Sequence, residues 1–289
     1  MLSDEKIKFL KLKANEIRRT VVETLVNAGS GHTAGPLGMA DVLAYLFFHA
    51  LNHDPKKPDW SERDRLVVSN GHICPVLYAV MAHAGYFSVK NLIGSLRKFG
   101  SPFQGHPQRD FLPALENSSG PLGEGLAQAV GMALAEKMDW EIQGRTLVLK
   151  KGSTFISKFF FCILSDAELQ EGSTWEAAMF AGKEQLGNLI AVIDRNKIQI
   201  DGFTEKIMPL EPLREKWEAF GWHTAEINGH DFRELDEAVS VAKTFIAKPS
   251  VIIARTIPGK GVKEFENKPE WHGRAPNKAE GEKALKELQ

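Results

Sequence analysis

Apolar residues recur at helical spacing over residues 4–27, at Ile7, Leu10, Ile17, Val21 and Leu25, which places one face of a helix on a core. The rhythm stops at Ala28-Gly29-Ser30-Gly31-His32, so the helix is predicted to run into a glycine-rich loop. A second, largely buried helix is predicted over 38–50, and a short buried strand over 65–69 that ends at Asn70-Gly71-His72. A helix over 75–84 and an apolar-rich helix over 123–138, behind Gly120-Pro121-Leu122-Gly123, follow.

The pattern is most regular after residue 158. Phe159–Leu164 is a continuous apolar run of strand length, followed by a predicted helix over 173–186 and a second run, Leu189–Ile193. Ser173-Thr174-Trp175-Glu176 has the spacing of a capping box, so it predicts the start of that helix. Strands apolar on both faces and joined through a helix are parallel strands buried under helices. Helix over 211–220, strand over 222–227, helix over 231–246 and strand over 250–255 continue the alternation, and a short charged helix is predicted over 278–288. No repeat or linker divides the chain. The fold class predicted is therefore α/β, one domain over residues 1–289 with a mainly parallel sheet covered by helices on both faces.

Composition narrows the function more than the fold. The chain has 36 Lys+Arg against 37 Asp+Glu and a net charge of -1, with no basic stripe, which argues against nucleic acid as a partner. Cys74 and Cys162 are the only cysteines and have no metal-ligand spacing, so a disulfide scaffold or structural zinc is disfavoured and a reducing cytoplasm is the expected home. The N-terminus alternates Lys with apolar residues instead of forming a signal peptide. The apolar runs are too short for a membrane span.

Candidate chemistry lies at the predicted strand ends, where open parallel sheets bind ligands. Five histidines adjoin glycine: His32, His72, His106, His230 and His272. Each alone reads as a loop residue with a local hydrogen bond. Together they point to a site where the backbone approaches a ligand closely and imidazoles handle protons near neutral pH. Asp166 and Asn196 follow the two buried runs, one crossover apart, and so can meet at neighbouring strand ends. Carboxylate, amide oxygen and backbone carbonyl are hard ligands that suit Mg²⁺ or Ca²⁺, and the same residues read equally as polar turns and helix caps. Neither a phosphate-binding GxxxxGK[ST] loop nor a GxGxxG fingerprint is present.

In order along the chain, several segments resemble the N-terminal, thiamine diphosphate-binding domain of transketolase. They are Ser30–Asp41, Ser69-Asn70-Gly71-His72, Gly105-His106-Pro107, Gly120-Pro121-Leu122-Gly123, Asp166–Gly172, Trp175–Met179 and Ile193–Gly202. Phe220-Gly221-Trp222, Gly229-His230-Asp231, Lys248-Pro249 and Trp271-His272-Gly273 continue the match over nearly the whole chain. The resemblance implies Mg²⁺, with Ca²⁺ as a substitute, held by Asp166, the Asn196 side chain and the Ile198 carbonyl. It implies cofactor contacts from His72, Gly120, Pro121, Leu122, Asp166, Ala167, Asn196 and His272. It places His32, His106 and His272 against the donor ketose, and Glu171 and Glu176 near the contact between active sites.

One departure stands out. The family has Gly-Asp-Gly where this chain has Ser165-Asp166-Ala167; each replacement adds a Cβ where the diphosphate approaches, so cofactor binding is expected to survive with less room. The family's pyrimidine-binding domain has no counterpart in these residues. The resemblance therefore implies the split form: a separate C-terminal subunit carries that domain, two copies of each chain assemble, and this polypeptide alone is inactive. The implied reaction is transfer of a two-carbon ketol unit between sugar phosphates. A non-catalytic assembly subunit, motivated by Ser165 and Ala167, and ketol transfer on a specialised sugar are the alternatives.

Overall fold

The computed structural model describes residues 1–142 and 158–289. Eleven helices are described: α1 (Asp4–Ala28), α2 (Ala34–Gly38), α3 (Ala40–Tyr45), α4 (Cys74–Ala84), α5 (Val89–Ser95), α6 (Gly125–Ile142), α7 (Gly172–Lys183), α8 (Thr204–Ile207), α9 (Leu213–Ala219), α10 (Phe232–Thr244) and α11 (Lys278–Glu287). The strands are β1 (Arg65–Val68), β2 (Phe160–Ser165), β3 (Leu189–Arg195), β4 (Ile198–Gln199), β5 (Gly202–Phe203), β6 (His223–Asn228) and β7 (Ser250–Arg255).

Five strands form one sheet in the order β1-β2-β3-β7-β6, and every neighbouring pair is parallel. Alternation along each strand divides the side chains between two apolar layers. Phe161, Ile163, Ile190, Val192 and Ile252 join the core that also holds Leu10, Ile17 and Val21 of α1. Phe160, Cys162, Leu164, Ala191, Ile193 and Ile253 pack with Leu126 of α6, Ala178 of α7 and Trp217 of α9. Helices thus cover both faces, as the uninterrupted apolar runs require. Because the strands are parallel, their carboxyl ends share one edge, and the loops after them share one rim.

α1 ends at Gly29 in the left-handed region, where the sequence pattern stops the helix, and starts after Ser3, whose side chain accepts from the Lys6 N–H. The helix predicted over 38–50 is instead α2, α3 and a π-turn over Leu46–Ala50. The wide turn closes through the Leu51 N–H onto the Leu46 carbonyl. The break falls at Met39, just after Gly38, which packs so closely that a Cβ there would lie 3.0 Å from the Ile257 carbonyl oxygen. The capping box over Ser173–Glu176 does not form. α7 begins one residue earlier, and the Ser173 hydroxyl donates to the Gly123 carbonyl at 3.1 Å. Glu171, and not Ser173, stands at the N-cap, so the Ser173 hydroxyl lies inside the first turn and turns to a tertiary acceptor. α5 and the β4–β5 ribbon are too short to leave a periodic signal.

Candidate active site

The turn after β1 carries Ser69, Asn70, Gly71 and His72, all buried. The loop that follows the C-terminal glycine of α1 carries His32, and a short turn, Pro269–Trp271, delivers His272. Trp271 anchors that turn on Phe265, with ring centroids 3.9 Å apart. Together with His106 these rings converge: His32 lies 5.2 Å from His72, 6.2 Å from His106 and 5.5 Å from His272, and His72 lies 5.0 Å from His272.

Electrostatics keep this cluster neutral. Burial, then the neighbouring His272, Arg97 and His106, lowers the His32 pKa to about 4. Burial also lowers His72, His106 and His272, with Arg97 adding to the effect at His106. A second proton anywhere in the cluster would be desolvated beside other cations. The Nδ1 atoms of His32 and His272, and both polar atoms of the Asn70 side chain, are buried without a protein partner. Four such atoms beside one cluster call for a polar ligand.

His230, the fifth glycine-adjacent histidine, is elsewhere. Its Nδ1 donates to Asp41 at 2.6 Å, and its Nε2 accepts the Ile257 N–H at 2.8 Å. Asp41 is also gripped by Arg18, whose Nε donates to the Leu37 carbonyl. The Arg18 guanidinium and the His230 hydrogen bond hold the Asp41 carboxyl below its ordinary range against the opposing effect of burial. His230 fastens α3 to the loops after β6 and β7.

Beside β2 and β3 lies the second candidate cluster. Asp166 is fully buried; its Oδ1 accepts the Ala167 N–H at 2.8 Å, and its Oδ2 accepts the Lys197 N–H at 2.6 Å and Arg195 at 2.9 Å. The Asn196 amide donates to Asp194 at 2.7 Å, while its oxygen accepts the N–H of Ile198 in β4 at 3.0 Å. Burial pushes Asp166 up to about 6 despite Arg195. Asp194 rises to about 7 through burial, with the Asp166 charge adding to it. Asp166 Oδ1 and the Asn196 oxygen each retain an acceptor lone pair, so two hard oxygens stand at adjoining strand ends, a donor set that fits a divalent cation. Among the described residues, no group of three or more His, Cys, Asp or Glu could hold a metal ion by itself.

Ala167 and Ser165 need no unusual backbone. Ala167 is outside the left-handed region, and the Ser165 hydroxyl accepts the Glu168 N–H at 3.3 Å. The expected crowding is therefore not accompanied by backbone strain. Gly120 has open space where a Cβ would stand, and Pro121 is exposed with half-buried Leu122 beside it. Glu171 and Glu176 are both exposed; the Glu171 Cβ would lie 2.8 Å from a Cβ at Gly123, which brings it against this loop. Ile200, 71% exposed, approaches Gly273 beside His32. Arg97, Arg195, Glu168, Ser69 and Asn70 escaped assignment by sequence. Ser69 and Asn70 had a cue in their place before Gly71-His72, and Glu168 and Arg195 lay unassigned inside the matching segments Asp166–Gly172 and Ile193–Gly202.

The family model described as "Transketolase, thiamine diphosphate binding domain" matches residues 10–288. This chain belongs to that family. Within it, the chain is 43% identical over 259 residues to the 6-deoxy-6-sulfo-D-fructose transketolase subunit of Clostridium sp. (strain MSTE9), covering 90% of this chain and 88% of the relative. It is 36% identical to an apulose-4-phosphate transketolase subunit of Phocaeicola vulgatus, covering 98% of this chain and 94% of that one. A crystal structure of Campylobacter jejuni transketolase superposes with a TM-score of 0.87 at 35% identity, over 97% of this chain and 43% of that protein. The chain thus spans less than half the length of that transketolase and nearly all of the two related subunits. Among the described residues, no helix is long and apolar enough to cross a membrane.

Proposed function

We propose that this chain is the diphosphate-binding subunit of a two-chain, cytoplasmic transketolase that moves a two-carbon ketol unit from a ketose phosphate to an aldose phosphate in carbohydrate metabolism of the pentose phosphate type. The observation that carries the proposal is the convergence of four neutral histidines at the rim that also holds the Asp166–Asn196 turn. Thiamine diphosphate, when bound, supplies the thiazolium that accepts the electrons of the cleaved carbon–carbon bond. Asp166, the Asn196 oxygen and the Ile198 carbonyl would hold Mg²⁺, for which such hard oxygens are suited, and the ion would offset the charge of the diphosphate. His72 and His272 bind the diphosphate end; Ala167 lies beside it, and Gly120, Pro121 and Leu122 face the aminopyrimidine.

His32, His106 and His272 hold the sugar hydroxyls. The orphaned Nδ1 of His32 and that of His272 provide two points at which a hydroxyl proton is given or taken. Their lowered basicity lets them accept hydrogen bonds at neutral pH. A C-terminal subunit contributes the pyrimidine-binding domain, and the active assembly holds two copies of each chain. The names of the related subunits support a partner. Copurification with the product of an adjacent reading frame, followed by a ketol-transfer assay with and without thiamine diphosphate and Mg²⁺, tests the proposal. A stable pair with no cofactor-dependent transfer from a panel of ketoses would refute it.

A specialised donor is a second reading. Identity is 43% to the subunit named for 6-deoxy-6-sulfo-D-fructose and 35% to human transketolase. Including that sulfosugar in the donor panel separates the two.

A further inference from the structure

Glu168 is a charged side chain with no solvent exposure, and its carboxylate gathers three segments. Oε1 accepts the Ser69 hydroxyl, from the turn that carries His72, and the Gly123 N–H at 2.7 Å, from the loop that begins with Gly120. Oε2 accepts the Ser165 N–H at 3.2 Å, at the end of β2. The Ser69 oxygen in turn accepts the Gly125 N–H at 2.9 Å. Gly125 is packed so tightly here that a Cβ would overlap Ser69 Oγ and lie 2.6 Å from the Ser69 Cα.

Such a group is not there for stability alone. Burying a carboxylate is costly, and three donors offset the cost only while all three point at it. The three donors come from the elements that carry His72, the Gly120–Leu122 loop and Asp166. Ser165 strengthens the arrangement: its hydroxyl accepts the Glu168 N–H, so the residue that departs from the family's glycine fastens the backbone from which this carboxylate projects. We infer that Glu168 is a positioning residue that sets the Gly120–Gly125 loop at a fixed distance from the Asp166 turn and so defines the width of the cofactor slot. The inference rests on the proposed function for the identity of the cofactor, and on the hydrogen bonds alone for the latch.

Glu168→Gln tests it. A carboxamide offers one acceptor atom and places an NH₂ against a donor, so one or more of the N–H groups is released. Hydrogen exchange on the full chain is expected to quicken at least tenfold for the amides of residues 123–126, with the amides of β3 unchanged. Thiamine diphosphate affinity measured calorimetrically with Mg²⁺ is expected to fall at least tenfold, and saturating cofactor is expected to restore protection of the loop. Ser69→Ala, which keeps Glu168 and frees the Gly125 N–H, is expected to raise exchange at Gly125 and serves if Glu168→Gln does not fold. Unchanged loop exchange in the variant that folds overturns the latch. Wild-type chain, with its partner present, that binds no thiamine diphosphate overturns the proposed function and leaves the latch to be decided by exchange.

Discussion

Acidification is expected to destabilise this protein through His32 by an amount that can be worked out. The imidazole is lowered from 6.5 to about 4, and at about 1.4 kcal/mol per pH unit the environment disfavours its protonated form by roughly 3.4 kcal/mol. The unfolded chain takes up this proton near its ordinary pKa and the folded chain does not. The associated stability is therefore fully present above pH 6.5 and is lost as pH falls toward 4. At pH 5 the loss is about 2 kcal/mol. Urea unfolding of wild type and His32→Asn at pH 7.5, 6.5, 5.5 and 5 isolates this contribution, because the other histidines are common to both. Relative to pH 7.5, wild type is expected to lose about 2 kcal/mol more than the variant by pH 5. The His32 ring resonances are expected to hold their neutral position down to that pH. Parallel stability curves, or a His32 titration centred near 6.5, would refute the reasoning that burial and neighbouring cations keep the cluster neutral.

Removing Arg18 leaves the buried Asp41 carboxylate with His230 as its remaining side-chain partner, so Arg18→Met is expected to cost about 3–5 kcal/mol in urea unfolding. Arg18→Met/Asp41→Asn, which also removes the charge, is expected to recover most of it, and a double variant as unstable as the single would show that the charge is not the cause. Ala167→Gly relieves no backbone strain, so thiamine diphosphate affinity is expected to stay within about twofold of wild type; a tenfold gain by calorimetry would reveal crowding by the methyl group. His106→Ala is expected to lower ketol transfer by about 10²-fold or more with little change in cofactor affinity. Equal losses in both would place His106 on the diphosphate.

The sheet was legible because fully buried parallel strands write themselves as apolar runs, and Phe160–Ser165 and Leu189–Arg195 are buried at every position. The histidines were legible as a set through their glycines, but not individually. His230 shares the local sequence signature, and only the distant Asp41 and Ile257 decide that it fastens α3 to two loops. Glu168 lay inside the matching segment Asp166–Gly172, but its role left no signal, because two of its three partners, Gly123 and Ser69, lie 45 and 99 residues away in sequence. The failed capping box has the same origin. Ser173 had a local partner in principle, and the fold offered the Gly123 carbonyl instead.

α1 has 25 residues, which makes it a rod about 38 Å long with the His32 loop attached at one end. At that length a tilt of about 1.5° shifts the end by about 1 Å, a displacement that in a catalytic site can cost about 10²-fold in rate. Ile7 and Leu10 seat the far turns in the core, and the exposed pair of Asp4 with Arg233 at the tip grips weakly. Arg18 clamps the rod to Asp41 about 15 Å from its C-terminal end. The clamp acts as a pivot that shortens the lever, so the same tilt about Arg18 moves the His32 end by about 0.4 Å.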